Sequence, residues 1–157
     1  MRIYHASNMR VERPDTCHSR RELDFGCGFY VTTMRQQAEK YAQRFARRGE
    51  QAWLNVYELE DNLADWNIRR FDCYDEEWLD FVIECRRGVD DTGSYDMVVG
   101  GIADDKVFET VDLFFAGLLP KDEALRRLAF ERPNIQYCIR NGAMLEECVT
   151  FIEAIRL

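Results

Sequence analysis

The sequence predicts an α+β fold, and three observations carry that reading. Short β-branched and aromatic runs sit at both ends, Arg2 to His5 and Thr150 to Leu157, while the stretches with apolar residues at helical spacing lie between them. At 46% apolar and 13% aromatic, 157 residues can bury a full core, which excludes the disordered and low-complexity classes. No repeat, linker or shift in composition divides the chain, so residues 1–157 are expected to form one domain.

Each element has its own signal. After the Arg2 to His5 strand, Ser7 to Cys27 is irregular, with Pro14, Asp15 and Gly26 and the arginines Arg10, Arg13, Arg20 and Arg21. Loops longer than about 12 residues inside a compact domain are usually functional or disordered, and this one is too charged and too sharply bounded to pass over. Gly28 to Thr32 reads as a buried strand entered through two glycines. Thr33 with Gln36 spells a capping box, and Met34, Ala38, Tyr41, Ala42, Phe45 and Ala46 recur at helical spacing until Arg47-Arg48-Gly49 closes the helix. Ala52 to Leu59 is a strand, and a connection through Asp65-Trp66 leads to a second helix, Glu76 to Arg87, ended by Gly88. Tyr95 to Val99 is a short strand closed by Gly100-Gly101. Asp104 or Asp105 caps a third helix through Phe115, and Pro120 opens a fourth that runs to Phe130. Ile135 to Arg140 is a strand, Ala143 to Cys148 a single helical turn, and Thr150 to Leu157 the final strand.

Composition then narrows the chemistry. With 21 Lys+Arg against 29 Asp+Glu the formal charge is −8, the wrong sign for a surface that neutralises duplex phosphates, although it leaves room for a local basic groove. No apolar run approaches the roughly 18 to 20 residues of a spanning helix, and the start Met1 to His5 has no apolar signal region. A cytoplasmic protein with no membrane partner is expected. The six cysteines contain no Cys-x-x-Cys pair and read as free thiols. Cys17, His18 and Cys27 lack a fourth ligand for zinc, and no His-x-x-x-His pair exists, so no metal is expected. Cys17 or Cys27 with His18 offers a nucleophile and a base but no third group to orient them. Neither a Gly-x-Ser-x-Gly elbow nor a phosphate-cradling Gly-x-x-x-x-Gly-Lys run is present.

The unusual residues are in the front third. His5-Ala6-Ser7 ends the first strand, and Gly26-Cys27-Gly28-Phe29-Tyr30-Val31 opens the second. Tyr41 follows Tyr30 by eleven residues, so a strand tyrosine and a helix tyrosine are expected to face each other across a slot one ring wide. Such a slot suits a flat heteroaromatic, with stacking worth roughly 0.5 to 1.5 kcal/mol per pair. The competing reading places Tyr41 in the core stripe of its helix.

His5-Ala6-Ser7 is similar to the His-Gly-Ser motif of the diphtheria-toxin and poly(ADP-ribose) polymerase branch of ADP-ribosyltransferases. The Gly26 to Val31 strand, with Ala38 and Tyr41 after it, resembles that branch's Gly-Lys-Gly-Ile-Tyr-Phe strand and the small residue and second tyrosine of its next helix. The chain also resembles, over nearly its whole length, a bacterial family of uncharacterised proteins with Tyr-His-x-Ser, Asp-Phe-Gly-x-Gly-Phe-Tyr-x-Thr, a Tyr-Asp-x-Val-x-Gly strand (Tyr95 to Gly100) and a late Gln-x-x-Phe-like strand (Gln136 to Ile139).

The resemblance implies an ADP-ribosyltransferase-like fold of split mixed and antiparallel sheets with flanking helices, and NAD as substrate. His5 would bond the adenosine ribose, and the Ala6 backbone and Ser7 hydroxyl the nicotinamide carboxamide. Gly28, Phe29 and Tyr30 of the strand, with Ala38 and Tyr41 of the helix, would line the nicotinamide pocket, its ring sandwiched between the tyrosines. Arg20 or Arg21 would meet the pyrophosphate by charge-assisted bonds. In active polymerases a glutamate on a late strand accepts a bond from the nicotinamide ribose; the matching position here is Gln136, which accepts the bond without a full charge and cannot act as a base at neutral pH. Glu109, Glu131 and Glu153 are the other candidate carboxylates to assist, and spacing does not choose among them. The implied activity is transfer of a single ADP-ribose to a macromolecule, protein or nucleic acid, as in bacterial toxins and effectors, with an inhibitory antitoxin protein as an analogous partner. NAD glycohydrolase, RNA 2′-phosphotransferase chemistry and a catalytically silent binding module are the alternatives.

Overall fold

A computed structural model describes residues 1–18, 23–89 and 94–157. In chain order the elements are β1 (Arg2–Ser7), β2 (Phe29–Val31), α1 (Arg35–Arg47), β3 (Trp53–Leu59), β4 (Ile68–Arg70), α2 (Glu76–Arg86), β5 (Met97–Gly101), α3 (Asp105–Phe115), α4 (Lys121–Leu128), β6 (Ile135–Ile139), α5 (Gly142–Cys148) and β7 (Val149–Arg156). The architecture is α+β. One sheet is antiparallel in the order β1-β3-β7; the other runs β2-β6-β5-β4, antiparallel except for the parallel pair β4 and β5.

Strand alternation sorts the side chains into layers. Ile3 of β1, Phe29 and Val31 of β2, Tyr57 of β3, and Met97 and Ile139 share the core between the two sheets. On the other face of the first sheet, Leu54 and Val56 pack under Ala38 of α1. On the other face of the second, Val98 and Cys138 pack with Trp78, Leu79 and Val82 of α2 and Val107 and Val111 of α3. Asp75 caps α2 by accepting from the Trp78 N–H at 2.9 Å, and the indole of Trp78 donates to the Gly101 carbonyl at 3.0 Å. A cap of this kind is worth about 1 kcal/mol.

Three expectations need correction. The Thr33 and Gln36 capping box does not form: Met34 is the N-cap of α1 and its side chain makes no cap bond, while Thr32 Oγ1, on a residue held in the sheet, accepts from the Met34 N–H at 3.1 Å and donates to Gln37 Oε1 at 3.0 Å. β5 runs on through Gly100 and ends at Gly101, two residues past the expected Val99; a Cβ at Gly101 would meet the Tyr74 ring at 2.4 Å, so the strand can pass only as glycine there. The short β4, with two arginines in three residues, is a strand the sequence reading left as connection.

Candidate functional site

The two sheets meet along β1 and β2. These strands pair at a single bridge, where the Tyr4 N–H donates to the Thr32 carbonyl at 2.8 Å and the Thr32 N–H to the Tyr4 carbonyl at 3.0 Å. Beyond it they part. By alternation the N–H and carbonyl of Ala6 face the same way as those of Tyr4, toward β2, and among the described residues they have no backbone partner.

His5 occupies the start of the gap. Its Nδ1 lies 2.8 Å from the Tyr30 carbonyl, and a carbonyl can only accept, so Nδ1 carries the proton. The ring packs against Phe29, with centroids 4.5 Å apart. Burial lowers the pKa of His5, outweighing the opposing bond to Tyr30, so the imidazole is neutral. Its Nε2 is left as an acceptor with no hydrogen-bond partner among the described residues. Ser7 Oγ accepts from the Met9 N–H at 3.3 Å and keeps its own proton to donate.

Tyr30 lies on the outer face of β2, against the α2 side of the core. Its hydroxyl donates to the Gly26 carbonyl at 2.6 Å and accepts from the Phe25 N–H at 3.1 Å. Burial, and then the adjacent Cys138 thiol, holds this phenol well above its ordinary value. The Tyr30 hydroxyl thus serves the turn behind it, and its ring packs against the α2 side of the core. Gly28 is required beside it, since a Cβ there would meet Cys138 Sγ at 2.5 Å and the Ile139 carbonyl oxygen at 2.8 Å. Gln136, partly buried on β6 and paired with Gly100, shares the outer face with Tyr30 and Cys138, two residues from the Cys138 that pairs with Tyr30.

α1 borders the gap. Its Gln37 is bonded to Thr32 at the closed end, and Ala38 packs in one cluster with Ala6 and Tyr4. Tyr41 is on the Gln37 flank of α1 and is 50% exposed, which corrects the core-stripe reading. Its ring contacts are Phe45, at 6.0 Å, and the Arg44 guanidinium, at 4.8 Å. The structure thus joins His5, Phe29 and Tyr30 in direct contact and Ala6 with Ala38 in one cluster, whereas Tyr41 meets its own helix neighbours. Arg20 and Arg21 lie outside the described residues. Glu109 and Glu153 are exposed, and Glu131 lines a cavity of about 450 Å³ with Tyr74, Asp75 and Leu128.

Sequence reasoning missed the residues that anchor the long loop. Fully buried Asn55 accepts from the Val11 N–H at 2.8 Å and donates to the Met9 carbonyl at 3.2 Å, while the Tyr57 hydroxyl donates to the Val11 carbonyl at 2.6 Å. At the far end Asp24 accepts from Arg86 at 3.0 Å and from the Ala103 N–H at 3.1 Å. The available signal was an amide set in the apolar run Trp53-Leu54-Asn55-Val56-Tyr57.

No curated protein and no solved structure matches the chain. A family model described as "Protein of unknown function (DUF3990)" matches residues 1–151, and by that match the chain belongs to the DUF3990 family.

Proposed function

We propose that the protein is an NAD-dependent mono-ADP-ribosyltransferase of ADP-ribosyltransferase-like fold, acting in the cytoplasm on a macromolecular acceptor. The observation that carries this reading is the open Ala6 peptide beside the neutral His5. A primary carboxamide has one carbonyl and one NH₂ on the same edge, and the complement to that edge is one N–H and one C=O side by side. Ala6 offers that pair at the gap between the strands, with Ser7 able to add a hydroxyl donor. His5 Nε2 accepts a ribose hydroxyl, and the ring of Tyr30 flanks the nicotinamide.

Gln136 sets the outcome. Its carbonyl accepts the nicotinamide-ribose hydroxyl and holds the sugar as the C1′–N bond breaks; nicotinamide leaves with the bonding electron pair, and the acceptor's lone pair forms the new bond to C1′ while its proton passes to solvent. Without a carboxylate to act as base, one transfer to an already nucleophilic acceptor is favoured over chain growth. The same Gln136 supports a second reading, a silent module that binds NAD without cleaving it. Incubating the protein with adenine-labelled NAD and cell lysate decides between them: transfer predicts a labelled macromolecule with stoichiometric nicotinamide, whereas NAD binding with no nicotinamide released leaves only the module. Growth arrest on expression, relieved by His5→Ala, is the outcome expected of a toxin with an inhibitory partner.

A further inference from the structure

Charge is unevenly placed in this acidic chain: residues 1–48 hold ten of the 21 Lys+Arg but five of the 29 Asp+Glu. Half of those cations lie on α1 and its C-cap, as Arg35, Lys40, Arg44, Arg47 and Arg48, all exposed. The nearby acids are engaged elsewhere. Glu39 pairs with Arg35 at 2.8 Å, and Glu50 accepts from Asn8 at 2.9 Å. Among the described residues no carboxylate pairs with Lys40, Arg44, Arg47 or Arg48.

Helical spacing puts Gln37, Tyr41, Arg44 and Arg48 in one row. Gln37 is bonded to Thr32, so this row is the flank turned toward the gap between β1 and β2. The Glu50 bond to Asn8, just past the end of β1, brings the other end of α1 to the mouth of the gap. Along the row, half-exposed Tyr41 carries the Arg44 guanidinium on its ring.

We propose that this flank of α1 is a docking ledge for a single-stranded nucleic acid, which makes nucleic acid the acceptor; the inference rests on the transferase reading above. An exposed aromatic beside stacked arginines is the combination that holds unpaired bases and their phosphates. On its own flank Tyr41 is bordered by Gln37, Arg44 and Arg48, with the Phe45 ring 6.0 Å away, so charge outweighs the apolar surface that centres a protein interface. Arg44 and Arg48 follow one another along this flank, about 6 Å apart at 1.5 Å per residue, on the same side of the helix as the Tyr41 ring.

The test uses the full chain and labelled single-stranded RNA and DNA of about a dozen nucleotides, followed by fluorescence anisotropy without NAD from about 50 to 200 mM salt. Binding is expected, weakened about tenfold or more by Arg44→Glu with Arg48→Glu, with the salt slope reduced by about 1.4 for two lost phosphate contacts. Acceptor-free nicotinamide release stays unchanged in that variant. Absence of binding at the lowest salt, binding indifferent to the double substitution, or equal binding of polyglutamate overturns the proposal. A raised KM for NAD in the double variant also overturns it and gives the arginines to the dinucleotide. Failure of nicotinamide release in the unaltered protein refutes the transferase reading by a separate assay, and then the ledge is no acceptor site even if the oligonucleotide binds.

Discussion

His5 Nδ1 donates to the Tyr30 carbonyl across 2.8 Å, standing in for the backbone bond that β1 and β2 no longer make once they part. One contact thus sets the tautomer of the ring, keeps Nε2 free to accept, and holds the two strands at a fixed separation where the Ala6 peptide lies open.

This contact makes stability depend on pH. Burial lowers the folded-state pKa of His5 below its ordinary 6.5, so as pH falls the unfolded chain binds a proton before the folded one does. Stability is full above that range and declines as pH drops through it. Thermal unfolding from about pH 7.5 to 5.5 is expected to show the decline, and His5→Gln to flatten it.

Gly28→Ala forces a methyl against both Cys138 Sγ and the Ile139 carbonyl, and is expected to cost about 1 to 3 kcal/mol in urea unfolding. Adding Cys138→Ala removes only the sulfur, so the double variant regains part of the loss. A double variant as stable as the original chain would show that the backbone clash with Ile139 is relieved at no cost.

Asn55→Ala removes three side-chain bonds at a fully buried site, to Val11, Met9 and the His5 carbonyl. A loss of about 2 to 3 kcal/mol is expected, with faster proteolysis at Met9 to Pro14 as the loop loses its anchor. Equal proteolysis rates would mean that Tyr57 alone holds the loop.

Most of the architecture is legible in the chain because its signals are local. Pro120 opening α4, the short helix at Ala143 to Cys148 and the final strand from Thr150 depend on a few neighbours in sequence, and the observed boundaries fall within a residue or two of those expected. What escapes is set by partners far away. Thr32, in place of Thr33, braces the start of α1 through Met34 and Gln37 because Tyr4, 28 residues earlier, holds it in the sheet; β5 extends to Gly101 because the Tyr74 ring fills the place of its missing side chain. At the site, His5, Ala6 and Tyr30 could be named from their motif, whereas the latches at Asn55 and Asp24 join residues 44 and 62 positions from their partners, Val11 and Arg86.

The ion pair of Asp24 with Arg86 is largely buried, at 18% and 13% side-chain exposure. Asp24→Ala is expected to cost about 3 kcal/mol, much of it from the guanidinium left without its partner. Arg86→Met on that background should recover part of the loss, and strictly additive losses in the double-mutant cycle would show that the pair is not coupled.

The central claim is that the gap between β1 and β2 binds and cleaves NAD, with Tyr30 acting through its ring. Nicotinamide release by Tyr30→Phe and Tyr30→Ala, measured below the unfolding temperature of each, tests it most directly. The account predicts that Tyr30→Phe, which loses the bonds to Gly26 and Phe25 but keeps the ring, still releases nicotinamide, and that Tyr30→Ala and His5→Ala do not. Release that survives in both alanine variants would contradict it.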